Sequence, residues 1–456
     1  MTDFIIKKLP YDLTSNAGLA LVGQYLKSLN FSKRIDSAFA LGAKGIANSD
    51  VLKSYLGLLV QGKNDFDAIE AFRGDAFFRR SLGVGTVPSS PTLRQRLDMH
   101  AASWFGLADE LNLALLSGKL GVGGAGVDFG ALACGYMPLD WDTFVMDNSG
   151  TRKEDVGRTY QGVDGYTPSA TYIGTLGYCL ELALRPGVQH SALETDLNLQ
   201  RVLPMAAQLT DLPLLFRADS GLCSKAIMQE ITAQARDLQH EVAFIIKWNP
   251  RSTPVEAWAA ARVADASMQW IALREGKREC YWQAPLELPG VGSASNPARR
   301  IYRLTERTID KHGQPLLLPD YEIEGWSTTV PQHIPMLAVI AMYCDHATHE
   351  QFHSEFKTDM DLERLPSGNF DTNFLVCGLA SVALNILRLI GQNALTGKDA
   401  PIRHSAKRRR IKTVMQELMF KAARMIKHAG RWVLGLGAHD SGFTVFERHY
   451  GQMKTA

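Results

Sequence analysis

Apolar residues recur at helical spacing through the first quarter of the chain. In LALVGQYLKSL (19–29), SDVLKSYLGLLVQG (49–62) and DAIEAFRGDAFFRRSL (67–82) they return every three or four positions, which gathers them on one helix face. Ser49 and Asp50 supply a start signal. In VPSSPTLRQRLDMHA (87–101), Ser90 can cap a helix, Pro91 suits its first turn, and Arg94 and Arg96 follow. The pattern predicts a helical region over 1–122, ended by the glycine-rich GVGGAG.

Beyond residue 126 the period shortens. Apolar runs at 137–146, 169–177, 179–184 and 213–217 read as strands, with a helical stretch at 193–209 before the last. A helix at 224–238 precedes the strongly apolar VAFIIKW. Strands followed by helix and strand are an α/β order. Across 250–335, pieces such as ECYWQAPLELPG and RRIYRLTERTI alternate with Pro and Gly and predict a mostly β insertion. The helical pattern returns over 336–395. Its apolar run is interrupted by Asn385, Arg388 and Gln392, as expected of a buried core helix rather than a membrane span. In the last segment, 396–456, a polar linker leads into VMQELMFKAARMIKHAG, predicted as an amphipathic helix closed by Gly430. The parts are therefore a helical 1–122, an α/β core in two pieces (123–249 and 336–395), a β insertion between them, and a helical tail.

A chain of 456 residues is long enough for two to four domains. The net charge of +2 signals no polyanionic partner for the molecule as a whole. Locally, Arg403, Lys407, Arg408, Arg409, Arg410 and Lys412 form a basic cluster suited to phosphate contacts. The six cysteines stand singly, without a CxxC pair, so neither a zinc ribbon nor a redox dithiol is signalled. No hydrophobic leader precedes the helices, and a cytoplasmic protein with reduced thiols is expected. No P-loop motif occurs.

Three acidic residues stand out. Asp142 lies in MPLDWDTFVM and Asp219 in LPLLFRADSG, both on strand-like runs, while Glu350 lies on the helical YCDHATHEQFHSEFK. Two strand carboxylates and one helix carboxylate can hold a pair of divalent cations for phosphodiester chemistry. Asp140, two residues from Asp142, shares its strand face and is the alternative first ligand. Tyr343, His346, Glu350 and Lys357 fall along one helical stripe, which aligns a carboxylate with phosphate-binding groups. The same helix also spells His349-Glu350-x-x-His353, the zinc-protease motif. Its extended form fails, because Phe356 and Asp359 stand where Gly and a third His are wanted.

The spacing Y-x2-[R]-x3-E-x6-K, with the LDWDT and FRADSG strands, resembles the signature of the cut-and-paste DDE transposases of bacterial insertion sequences. The resemblance covers about residues 125–395. It implies an RNase H-like catalytic core in which Asp142, Asp219 and Glu350 coordinate two Mg²⁺ ions, with Mn²⁺ as a substitute. It also implies DNA partners (terminal inverted repeats and target DNA), a homodimer on DNA, and a nucleoid-associated location. Tyr343, His346 and Lys357 would contact phosphates. The helix carrying Arg94 and Arg96, and the cluster at Lys407, Arg408, Arg409 and Arg410, would bind DNA. In some relatives an aromatic residue of the insertion stacks on a flipped base, and Trp326 is the candidate here. His346 replaces the family's usual Arg, and Ser354 stands where a further Lys is sometimes found. A structure-selective nuclease of the same fold and an inactive DNA-binding relative are the alternatives.

Overall fold

The computed structural model describes residues 3–8, 10–39, 45–251 and 253–455. It is a mixed α/β structure built on one nine-stranded sheet. Its strands are β1 (Met137–Thr143), β2 (Ser169–Ile173), β3 (Tyr178–Ala183), β4 (Leu214–Ala218), β5 (Val242–Lys247), β6 (Trp270–Arg274), β7 (Lys277–Pro285), β8 (Arg299–Ile309) and β9 (Pro315–Thr328). Their order across the sheet is β6-β7-β8-β9-β5-β4-β1-β2-β3. β1, β4 and β5 run parallel, and every other neighbouring pair is antiparallel. The parallel strands are joined by helices, Thr195–Leu209 before β4 and Lys225–Asp237 before β5, as parallel neighbours require.

The β pieces after residue 250 do not form a sheet of their own. β9 pairs with β5 through Trp326–Lys247, Ser327–Ile246 and Thr328–Ile245, so β6–β9 extend the central sheet.

The run that is apolar enough to span a membrane is the helix Phe370–Leu395, and it is buried inside the protein. It packs on β3 and on the helix Leu107–Leu116 of the N-terminal region. The polar residues that interrupt it are its attachments. Asn385 accepts from the Cys179 N–H at 2.9 Å and donates to the Cys179 carbonyl at 2.6 Å and to Asn112 Oδ1 at 2.9 Å. A buried amide satisfied this way avoids the cost of an unpaired polar group and fixes the register of three elements. Arg388 forms an ion pair with Glu355, each side chain 1 % exposed.

The N-terminal helices form as expected at Leu19–Ser28 and Asn48–Leu59. The third is split into a 3-10 turn, Phe66–Phe72, and a helix, Ala76–Leu82, because Asp75 caps a new start by accepting from Phe77 and Phe78. The helix bearing Arg94 and Arg96 spans Ser90–His100, and its cap is Ser89 rather than Ser90.

The tail departs from expectation. The helix predicted over 414–430 ends after a short α turn and a π turn, Met415–Met419. Ala423–His428 and Arg431–Leu436 are instead the strands of a hairpin, edged by Asp12–Thr14. Ala423 and Met425 point inward while Arg424 and Ile426 are exposed, a period of two hidden within an apparent helical period. Ala429 and Gly430 both have positive φ, 48° and 79°, the requirement of a two-residue type I′ turn. Gly430 is therefore a turn glycine, not a helix cap.

Candidate active site and metal centre

β1 and β4 lie side by side, in parallel, with Asp140 opposite Arg217. Two residues further along each strand, Asp142 and Asp219 come to the carboxyl ends of neighbouring strands, where an open α/β sheet exposes its chemistry. Trp141 faces the other side of the sheet and is buried, which fixes Asp140 and Asp142 to one face.

The two carboxylates on β1 have different surroundings. Asp140 is buried and bonded bidentately by Arg217, Nε at 2.6 Å and Nη2 at 2.7 Å, and it also contacts His346 Nδ1 at 2.9 Å. Burial alone would raise its carboxyl; the Arg217 and His346 charges outweigh this and hold it far below the ordinary range. An Asp this fully engaged has little left for a metal ion. Asp142 is half-buried and faces His349, whose Nε2 lies 2.5 Å from Oδ2. Burial opposes its ionisation, but the His349 hydrogen bond and the neighbouring imidazoles leave its carboxyl below the usual value.

Asp219 lies at the exposed end of β4, where Oδ1 accepts from the Gly221 N–H at 2.9 Å. A side chain at Gly221 would run into that oxygen and into Ser191 Oγ. Desolvation in the cleft, together with the charge of Asp142, pushes the Asp219 carboxyl above its ordinary value. Two carboxylates that repel each other at matching strand positions suit a divalent cation, which relieves the repulsion. The same two charges, behind desolvation, push up the hydroxyls of Tyr160 and Tyr343, placing both tyrosines at this cleft.

The segment carrying Glu350 passes through three helical types: 3-10 over Asp345–Thr348, α over His349–Ser354 and π over Glu355–Asp359. In this register His349 and His353 face Asp142. One ligand atom from each of the three lies within 4.8 Å of the other two. His349 Nδ1 donates to the His346 carbonyl. His353 is stacked on Phe144 with ring centroids 4.4 Å apart, and burial drives its imidazole down to about 3. Glu350 is exposed, and no hydrogen bond or ion pair engages its carboxylate among the described residues.

The remaining predicted residues are dispersed. Tyr343 is half-buried with its ring 5.8 Å from that of His346. Lys357 pairs with Glu363 at 3.1 Å. Trp326 is 1 % exposed, between Tyr343 and the Arg303 guanidinium, so it offers no face to a base in this structure. Its place on β9, within the core shared with Ile301 and Val330, explains the burial. Arg94 is exposed over Phe66, whereas Arg96 is turned to the Ile46 carbonyl and Asn48.

The basic cluster is largely spent internally. Arg408 and Arg410 pair with Glu355 and Asp359, Arg409 binds the carbonyls of Leu395 and His404, and Lys407 stays exposed. These arginines clamp the tail onto the Glu350 segment, a role that charge density alone does not reveal. Arg217 was equally hidden in the sequence. An arginine inside the apolar LLFRA strand is the available signal, since such a residue is rarely buried without a partner.

A mixed sheet thus brings two carboxylates to the ends of two neighbouring parallel strands. The chain belongs to the family described as transposase DDE domain group 1, whose model matches residues 11–455. Among solved structures it is similar to the piggyBac transposase in a cryo-EM structure of its synaptic complex with hairpin DNA. That similarity has 10% sequence identity and a TM-score of 0.41, and covers 97% of this chain and 82% of that one. No curated protein sequence matches.

Proposed function

We propose that this transposase cleaves phosphodiesters at the ends of a mobile element and joins the freed 3′-hydroxyls to target DNA, using Asp142, Asp219 and Glu350. The observation that carries the reading is the parallel pairing of β1 with β4, which sets Asp142 and Asp219 at corresponding strand ends. The strand order β3-β2-β1-β4-β5, with β2 antiparallel to both neighbours and β1, β4 and β5 parallel, supports an RNase H-like core.

Asp142 and Asp219 are the residues that would hold a divalent cation, Mg²⁺ or Mn²⁺. A bound ion supplies Lewis-acid polarisation of the phosphate and activation of the attacking oxygen. The chain's own groups position the DNA. Tyr160 and Tyr343 border the cleft, with Tyr160 exposed enough to meet a phosphate. Arg217 holds Asp140 out of the reaction and stiffens β1 against β4.

Glu350 would join by a change of helical register. One residue turns a helix face by about 100°, which is the angle separating Glu350 from His349. The π turn at Glu355–Asp359 stores one extra residue. Moving it along the helix exchanges which of the two faces Asp142. Arg94, Lys407 and the N-terminal helices are proposed to contact the terminal repeats, and cutting two ends together calls for a dimer on DNA.

The test is a Mg²⁺-dependent nicking assay on DNA carrying an element end. Asp142→Asn, Asp219→Asn and Glu350→Gln are each expected to reduce nicking to background while end binding persists. Undiminished nicking by a variant removes that residue from the site. The zinc-protease reading of His349-Glu350-x-x-His353 has no support from the family match.

A further inference from the structure

We infer that Asp142, His349 and His353 form a binding site for a divalent transition-metal ion of the zinc class, distinct in ligand chemistry from an all-carboxylate magnesium site. The inference shares Asp142 with the proposed cleavage site but does not need DNA cleavage to hold.

Three observations carry it. First, the donor atoms converge: one from each residue lies within 4.8 Å of the others, two from one helix turn and one from a facing strand. His349 and His353 are four apart, the spacing that puts two imidazoles on one helix face. Second, the orientation of His349 is set from behind. Its Nδ1–H donates to the His346 carbonyl, so Nε2 is the ring nitrogen directed at Asp142 Oδ2, 2.5 Å away, where a metal ion would take the place of the proton the two share. Metal-bound histidines are usually oriented by this kind of second bond to a carbonyl. Third, His353 Nε2 is buried without a hydrogen-bond partner, on a residue 6 % exposed. A buried acceptor left unsatisfied is costly.

Two imidazoles and one carboxylate suit zinc, cobalt or iron, whereas magnesium prefers oxygen ligands alone. Three protein ligands leave a coordination position open, the hallmark of a reactive rather than a purely structural zinc site. Glu350, the base of the peptidase motif, is exposed and outside this set.

The test uses the full chain, stripped with chelator and titrated with Co²⁺ alone, followed by visible absorption and calorimetry. One Co²⁺ per chain is expected, displaced by Zn²⁺ and not by millimolar Mg²⁺. The spectrum should show ligand-field bands without thiolate charge transfer, which excludes the exposed Cys134 and Cys344 as ligands. His349→Gln and His353→Gln should each weaken binding roughly a hundredfold, and Glu350→Gln should leave it unchanged. The wild-type spectrum does not depend on the variants folding. Absence of Co²⁺ binding, thiolate bands, or affinity lost in Glu350→Gln would overturn the inference, even if Mg²⁺-dependent nicking is intact.

Discussion

Glu355 joins the Glu350 segment to the core, and its removal has a calculable consequence. The carboxylate accepts from Arg388 through both Nη atoms, from Arg408 Nη1 at 2.8 Å and from the Ile411 N–H at 3.0 Å. Burial alone would raise the Glu355 carboxyl, but the Arg388 guanidinium outweighs it and holds it below its ordinary value. In Glu355→Ala, Arg388 keeps its charge in a site 1 % exposed, with the Arg409 carbonyl at 3.1 Å as its remaining acceptor. Orphaning one member of a buried pair costs about 3–5 kcal/mol, a large share of a typical total of about 5–15 kcal/mol. Arg408 adds little to this, because it is 15% exposed and can turn to water. Glu355→Leu combined with Arg388→Met removes both charges and should return to within about 1 kcal/mol of the parent. Urea unfolding followed by tryptophan fluorescence reads the midpoints. The single variant should unfold at clearly lower urea, and the double variant close to the parent. A single variant with the parent's midpoint, or a double variant as weak as the single, refutes the argument.

Other consequences are equally measurable. Burial holds His449 down to about 4, while in the unfolded chain it titrates near 6.5. Between those values the native state binds fewer protons, so stability falls as pH falls through the window, by up to about 3 kcal/mol. His449→Phe should flatten the acid limb of melting temperature against pH, and an unchanged limb contradicts this. Gly430→Val forces a β-branched residue to a φ of 79° and should cost about 1–2 kcal/mol in thermal melts; an unshifted melt would mean the hairpin turn is wrongly placed. The sequence suggests that His346→Arg strengthens a phosphate contact. Its burial beside Asp140 predicts instead a loss of about 1–3 kcal/mol, as a second guanidinium competes with Arg217 for one carboxylate. A more stable His346→Arg variant would refute that.

Long periodic segments were legible before the structure. Leu19–Ser28, Asn48–Leu59 and the core helix Phe370–Leu395 follow directly from apolar spacing, as do the strand that carries Asp142 and the strand that leads to Asp219. What stayed hidden depends on tertiary partners. The spacing of Tyr343, His346, Glu350 and Lys357 assumes a regular α-helix, and the 3-10 and π turns around Glu350 break that assumption. His349 therefore occupies the face toward Asp142 that the spacing gave to Glu350. The arginines at 408–410 read as a DNA-binding run because their acceptors, Glu355, Asp359 and the carbonyls of Leu395 and His404, lie 5 to 53 residues earlier and are brought to them only by folding. Trp326 could not be told from an exposed stacking residue until β9 was seen to join β5. The hairpin at 423–436 was masked because ARMIKH satisfies both a helical and a strand period over so few residues.

Asp142 and Asp219 are proposed to share a divalent cation at the ends of paired strands. Crystals grown in Mn²⁺ and measured at the manganese absorption edge test it most directly. An anomalous peak coordinated by an oxygen from each of the two carboxylates is expected. Manganese bound elsewhere, with Asp219 bare, would contradict it.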